Sequence, residues 1–463
     1  MRKIKNWMIS VAVCPLVFAP SVFSGPSDKN RQGLHDDSDN LFSIYMLSAK
    51  GPEPAEIFRK KLRTIKIEGK TTTATPELED IPQLSGNLSV AESDELWQLR
   101  KASMHSFNTG INLRNRDGES GLDRLFESRV PVNFNFNTGN GRIDIDIASV
   151  FLSSGELTSS EFTNRYYGTF ALVDAEERPI DDASKDALGT ELAVGYESNG
   201  FAFKIGTTPL GFDITNITGA ISYNHSFNSG FNFKLGAHIE PVKDSLLSYA
   251  GIEDPITGFE WGGIVRKGGN VSFGYDAGTF GTYIDLILAV YEGKNVDDND
   301  FQQISTGVYF YPYQGESLQF SSGFNVTAFR FSENQRYFTF GHGGYFSPRT
   351  FVSASVPMSL IYIQDKLTVK LDLGIGLQYF YEEGADFYPS DPARQRLLET
   401  TETEQPTSFD ENTVRQFGST GGVGVNYQLS RQLEAKAQLA FSNTKDYKET
   451  VFFLGVEYLF GRD

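Results

Sequence analysis

Val130, Val132, Phe134 and Phe136 alternate with Asn133, Asn135 and Asn137, and after the turn Thr138-Gly139-Asn140-Gly141 the row Ile143, Ile145, Ile147 alternates with Asp144 and Asp146. A strict period of two places every apolar side chain on one face of a strand and every polar one on the other. The last strand of the chain has the same form. Phe452, Leu454, Val456, Tyr458 and Phe460 make one row, with Val451, Phe453, Gly455, Glu457 and Leu459 interleaved. A chain built this way must find an apolar and a polar environment for the two faces of each strand.

The pattern starts at His105 and runs to the C-terminus. Phe107, Thr109, Ile111 and Leu113 form its first row, and further strands are expected over 192–196, 201–205, 219–227, 231–239, 263–275, 280–290, 304–310, 318–329, 351–360, 367–379, 417–427 and 433–441. The total is about sixteen, in the size range where a closed barrel surrounds a water-filled lumen. Turns such as Ser198-Asn199-Gly200, Asn228-Ser229-Gly230 and Asp276-Ala277-Gly278 alternate with connections that are mostly long, over 115–129, 152–188, 240–260, 331–349 and 381–416. Short turns on one rim and long loops on the other are the habit of bacterial membrane barrels. A β-sandwich needs far fewer strands per domain, and a solenoid needs a short fixed repeat that this chain lacks. The expected fold is all-β, a transmembrane antiparallel barrel over residues 105–460.

The N-terminus supports export. Arg2, Lys3 and Lys5 precede an apolar run from Trp7 to Val22, and small residues lead to Ser24 and Gly25. This reads as a secretory signal peptide, residues 1–24. Pro15 and Pro20 interrupt the run, which is too short to span comfortably as a helix. The single cysteine, Cys14, lies in it, so the remainder has no disulfide framework and no thiolate metal site. Residues 25–104 are polar and punctuated by Pro26, Pro52, Pro54, Pro76 and Pro82. They read as a periplasmic extension, with Arg59, Lys60, Lys61, Arg63 and Lys66 as a docking or plug segment in the sharper reading. A net charge of −18, made more acidic by loss of the basic leader, argues against nucleic acid as a partner. The mean hydropathy of −0.31 does not argue against a barrel, whose alternating strands average out.

With the aliphatic rows turned to lipid, Tyr283, Asp285, Tyr291, Tyr309, Tyr311, Lys370, Asp372, Gln378 and Phe380 face the lumen, as do Asn426, Gln428, Glu434, Lys436 and Gln438. Mixed charges and tyrosine faces suit a neutral or cationic solute on which sugar rings stack. Tyr283, Asp285, Tyr291, Tyr309, Tyr311 and Phe380 are the candidate pore-lining contacts. Tyrosines that only fill space or hydrogen-bond across the wall are the plainer alternative. A search for catalytic groups yields His238, Glu240 and Ser222, without any supporting spacing signature. No metal cluster or phosphate-cradling loop is present in the sequence, so no metal and no cofactor is expected.

The terminal Tyr458-x-Phe460, with Gly455 three positions before the tyrosine, resembles the assembly signal of bacterial outer-membrane barrels. The stretches EPVKDSLLSYAGIEDPITGFEWGGIV over 240–265, RYFTFGHGGYFSPRTFV over 336–352, Phe387-Tyr388-Pro389-Ser390-Asp391-Pro392 and Gly293-Lys294-Asn295-Val296-Asp297-Asp298-Asn299 resemble the C-terminal outer-membrane domain of the cellulose synthase operon protein C family. The resemblance spans about residues 110–460. It implies an outer-membrane location in a Gram-negative bacterium, and export of a β-glucan made by an inner-membrane synthase.

In that family the barrel follows a long array of tetratricopeptide repeats, and the extension here, about 80 residues, shows none of their pattern. A separate periplasmic scaffold supplies the repeats, or the barrel serves another polymer. In the 336–348 stretch Gly341, Gly343 and Gly344 permit tight folding, and Tyr337, Phe338, Phe340, Tyr345 and Phe346 are too apolar to extend into water. The expectation is a gate loop that folds inward, comprising Arg336, Tyr337, Phe338, Phe340, His342, Tyr345 and Phe346. Arg336, His342 and Arg349 are expected to hold it against Asp244, Asp254 or Glu260. A rigid structural lid is the alternative. The whole reads as a monomeric barrel in outer-membrane lipid that passively exports a neutral polysaccharide chain. A general diffusion porin and a barrel hydrolase or acyltransferase are the alternatives.

Overall fold

The structure is a computed structural model that describes residues 104–160, 164–315, 317–402, 404–444 and 447–461. The expected leader, and the extension with its basic patch from Arg59 to Lys66, lie outside the described residues.

Sixteen antiparallel strands form one closed ladder. They are β1 (His105–Arg116), β2 (Leu125–Asn137), β3 (Arg142–Ser153), β4 (Asp186–Ser198), β5 (Phe201–Thr207), β6 (Ile217–Ser226), β7 (Phe231–Pro241) and β8 (Glu260–Asp276). The circuit continues with β9 (Phe280–Lys294), β10 (Val296–Gln314), β11 (Leu318–Phe331), β12 (Thr350–Gln364), β13 (Leu367–Glu382), β14 (Asn412–Gln428), β15 (Leu433–Asn443) and β16 (Lys448–Phe460). Each strand pairs with its sequence neighbour, and the last pairs with the first, from His105 opposite Phe460 to Arg116 opposite Glu449.

The two rows of each strand separate as the period requires. Leu192, Val194 and Tyr196 on β4, Phe203 and Ile205 on β5, Leu286 and Leu288 on β9, and Leu454 and Val456 on β16 are exposed on the outer face. Charged groups on the inner face neutralise one another along the wall. Lys204 lies 2.9 Å from Asp146, which also accepts from Asn133 Nδ2 at 2.7 Å. Arg142 contacts Asp144 at 2.8 Å and Glu197 at 3.1 Å. Lys370 meets Asp372 at 2.9 Å, and Lys436 meets Glu457 at 2.8 Å. Aromatic contacts mark the rim with the short turns, including Phe231 with Tyr275 at 4.7 Å and Phe107 with Phe134 at 5.1 Å. Such a girdle belongs at a membrane interface.

The wall is uneven in height. β5 has 7 residues and β10 has 19, whereas about 9–11 tilted residues cross the hydrocarbon. The tall side therefore stands in water above the lipid. This corrects one reading from the sequence. The stretch between Val290 and Ile304 is strand up to a turn at Asn295, which has a φ of 53°. Outward positions here carry Glu292, Lys294, Asp298 and Asp300, because both faces of the wall meet water or the protein interior, and the hydrophobic alternation disappears while the ladder continues.

The seam between β1 and β16 is close-fitting. Gly110 sits opposite Gly455, with the Phe453 ring folded over both. A Cβ on Gly110 would come within 2.5 Å of the Leu454 carbonyl oxygen. Gly110→Val is expected to block closure without altering any outward residue. The check is heat-modifiable migration on a gel after refolding, with at least a several-fold loss of the compact band.

Candidate functional site: a cap across the barrel mouth

The connection between β11 and β12, residues 332–349, turns inward. Gly341 and Gly344 take positive φ values of 102° and 66°, which let the chain reverse within a few residues. Gln335 organises the reversal: its carbonyl accepts the amides of Gly343 and Gly344, and its own amide donates to Ser347 Oγ. Phe338, Phe340, His342, Tyr345 and Phe346 are all buried. The expected gate loop is thus a folded element with its aromatic side chains inside.

Three other connections pack against it. The β7–β8 connection carries α1 (Leu246–Ala250), started by a reciprocal cap between Ser245 and Ser248 and buried throughout. Ser245 Oγ also donates to the Gly344 carbonyl at 2.7 Å. The β13–β14 connection carries α2 (Pro392–Thr401), where Asp391 accepts the amides of Ala393 and Arg394 and Pro392 occupies the first turn. Phe409 of this connection lies flat on Tyr337, with ring centres 3.5 Å apart, and Arg394 lies over the Phe340 ring at 4.7 Å. The β3–β4 connection reaches from the opposite side. Gly168 donates to the Phe338 carbonyl at 2.8 Å and accepts from the Phe340 amide at 3.0 Å. Those two connections are half-way round the sixteen-strand ring from each other, so a backbone bridge spans the mouth.

Between the bridged loops lies an apolar core of Tyr167, Phe170, Tyr249, Trp261, Phe340, Phe387 and Tyr388 with little exposure. Trp261 contacts Phe340 at 5.4 Å and Tyr167 at 6.0 Å. Two buried carboxylates lock it. Asp254 accepts from the Thr169 amide and hydroxyl at 3.0 and 2.8 Å and from the Thr257 amide at 3.0 Å. Asp244 accepts the Phe346 amide at 3.1 Å and lies 3.8 Å from Arg116 on β1.

Of the three expected carboxylates, Asp244 alone bonds the loop, and it does so through backbone. Arg336 pairs instead with Glu382 at the end of β13, both fully buried, and Asn412 Nδ2 donates to the same carboxylate at 3.1 Å. Glu260 is taken by Lys294 outside the wall. Arg349 donates to the Ser332 carbonyl at 2.7 Å and lies 3.9 Å from Glu383. His342 donates through Nε2 to the Asp386 carbonyl at 3.0 Å, and burial pushes its pKa down from 6.5 to about 4. These partners are distant in sequence, which is why spacing did not reveal them. Tyr167, Phe170, Trp261, Glu382 and Phe409 escaped the reading for the same reason, although Asp391-Pro392 is a helix-start signal that was open to it; Asp254, expected as a partner of the loop's cations, binds Thr169 and Thr257 instead.

The six candidate pore residues divide into two groups. Tyr291 stacks on Tyr345 at 5.1 Å, and Phe380 meets Phe346 edge-on at 5.1 Å, so both face inward but serve as the cap's seat. Tyr283, Asp285, Tyr309 and Tyr311 lie nearer the short-turn rim. The Tyr309 ring covers Gly281 across the ladder, and the Tyr283 ring lies against Gly307, so both lie along the wall. The hydroxyls of Tyr309 and Tyr311 donate to Asp276 at 3.4 and 2.9 Å. Of the possible catalytic set, His238 Nε2 is 3.7 Å from Glu240, which Arg266 engages, and Ser222 sits opposite Gly236.

A closed ring of strands, apolar outside and ion-paired within, crossed at one mouth by its own loops, defines an outer-membrane β-barrel of a Gram-negative bacterium. The family profile described as the cellulose synthase operon protein C C-terminus matches residues 123–461, and the chain belongs to that family. Cellulose synthase operon protein C of Pseudomonas fluorescens (strain SBW25) is 28% identical over 353 residues, covering 76% of this chain and 26% of that protein. The protein of the same name from Xanthomonas axonopodis pv. citri (strain 306) is 32% identical over 278 residues, 58% of this chain and 18% of that one. The chain therefore spans about a quarter or less of the length of these relatives. A solved bacterial polysaccharide outer membrane secretin superposes with a TM-score of 0.48 at 7% identity, covering 78% of this chain and 99% of that one.

Arg336→Met leaves Glu382 buried without its cation, and breaking such a pair costs about 3–5 kcal/mol. The expected result is a higher open probability in planar bilayers, reversed in Arg336→Met/Glu382→Leu, where neither charge is buried. A second outcome concerns pH. The neutral His342 of the closed cap binds fewer protons than a solvated one, so closure loses stability as pH falls through about 6.5 and the loss levels off near 4. Open probability is expected to rise between pH 7 and pH 5, and His342→Gln is expected to flatten that rise.

Proposed function

We propose that this barrel is an exit channel through which a neutral polysaccharide, a β-glucan of the cellulose type, leaves the cell. The observation that carries the reading is the cap. Loops from opposite sides of the ring close one mouth of a polar lumen through a buried core, an arrangement suited to a passage that opens only for its cargo. The polymer class is taken from the printed name of the relatives, cellulose synthase operon protein C. An uncharged, hydroxyl-rich chain also suits a lumen whose acids and bases are already paired with each other.

In this reading Tyr283, Tyr309 and Tyr311 offer ring faces and hydroxyls to the polymer near the short-turn rim, beside Asp285. The loop carrying Arg336, Tyr337, Phe338, Phe340, His342, Tyr345 and Phe346 is the gate. Export is passive and driven by synthesis at the inner membrane, with a separate periplasmic repeat protein as scaffold and a single chain per barrel.

The test is single-channel conductance with soluble β-1,4-linked glucan oligomers, against α-1,4-linked oligomers of equal length. Selective, length-dependent block by the β-linked series is expected. Equal indifference to both returns the barrel to a general diffusion role. Deleting residues 337–346 is expected to raise conductance several-fold, and Tyr309→Ala with Tyr311→Ala is expected to weaken the block while leaving basal conductance in place.

A further inference from the structure

The cap buries polar atoms that have no partner among the described residues. Trp261 is 0% exposed and its Nε1–H has no acceptor among the described residues. Thr339, also 0% exposed, has an unpartnered Oγ1, and Gln335, at 2%, has an unpartnered Oε1. Buried side-chain polar atoms are paired in the large majority of cases, and each exception carries an uncompensated desolvation cost. Thr339 and Gln335 belong to the 332–349 loop, and Trp261 belongs to the aromatic core packed against it. Thr339 forms a backbone bridge with Gly168, Trp261 lies 3.4 Å from where a Cβ on Gly168 would stand, and Phe340 packs on Trp261.

We infer that the core of the cap is a second polymer subsite, in which Trp261, Thr339 and Gln335 hydrogen-bond sugar hydroxyls as the gate opens. The inference rests on the export reading and adds a binding site to it. The chemistry selects the ligand class. Trp261 offers only a donor, the Gln335 side-chain carbonyl only an acceptor, and the Thr339 hydroxyl is both, a set that matches hydroxyl groups. The Trp261 and Phe340 rings supply an apolar face for a sugar ring. Polymer hydroxyls arriving at an opened cap satisfy atoms that the closed cap leaves unsatisfied, so cargo favours the open state by differential binding.

Trp261 also supplies the probe. The chain has three tryptophans, so Trp7→Phe with Trp97→Phe leaves Trp261 as the only one in the refolded full chain. Titration with a β-1,4-linked glucose hexamer is expected to give a saturable change in its emission, and the α-1,4-linked hexamer no change. In the same background Thr339→Val, which removes an unpaired hydroxyl at nearly constant shape, is expected to leave the barrel's thermal stability unchanged or raised. It is also expected to weaken the titration at least threefold. A side chain with a purely structural role would lose stability instead.

Unchanged Trp261 emission, with conductance still blocked by the β-linked hexamer, overturns the subsite and leaves the export reading standing. Loss of both signals overturns the two together. An equal response to both hexamers, or a Thr339→Val variant that titrates like its parent, also overturns the subsite.

Discussion

The membrane leaves the backbone no water to bond with, and that constraint shapes the rest of the molecule. Each amide and carbonyl in the hydrocarbon layer must be paired within the wall, which an open sheet cannot achieve along its two edges. Closure of β1 on β16 removes both edges, and Gly110 opposite Gly455 lets the two strands come together under the Phe453 ring. Outward rows then need only be apolar, and inward rows need only be satisfied. The pairs Lys204–Asp146, Lys370–Asp372 and Lys436–Glu457 meet the second condition along the wall.

The cap answers to a different physics. Above the lipid the protein has water on both sides, so its loops fold as a small soluble domain does, around an aromatic core of Trp261, Tyr167, Phe340 and Phe387 with buried carboxylates at Asp254 and Asp244. Its parts come from connections spread around the ring, and the tall strands β8–β14 hold half of them at the required height. The Arg336–Glu382 pair, the neutral His342 and side-chain atoms of Trp261, Thr339 and Gln335 that lack a partner among the described residues are all buried in the cap, away from the water that would otherwise solvate them.

Where lipid faces one side of a strand and water or polar groups the other, hydrophobicity alternates and the strand is visible in the sequence. This was so for β2, β3, β5, β9 below Val290, and β16. The upper parts of β9 and β10 were invisible because Glu292, Lys294, Asp298 and Asp300 take the positions that aliphatic residues hold lower down. The inward-folding aromatic loop was legible from its glycines and rings. Of its anchors, Asp244 was among those expected, whereas Glu382, Phe409 and Gly168 were not, since they are separated from the loop by tens to hundreds of residues of chain. Tyr291 and Phe380 were read as pore-lining contacts, and the folded cap shows that it rests on them.

The sequence by itself determined the strands, their inner and outer faces, the even count, the alternation of short and long connections and, through its unusual loop stretches, the family. Those properties depend on local period and on motifs, which are written in neighbouring residues. Only the tertiary structure decided that loops from opposite sides of the ring bond to each other across the mouth, which carboxylate receives which cation, and which tyrosines remain in the lumen. Such contacts arise because barrel closure fixes the loop bases around a ring, so residues far apart in the chain become neighbours through geometry that no local pattern encodes.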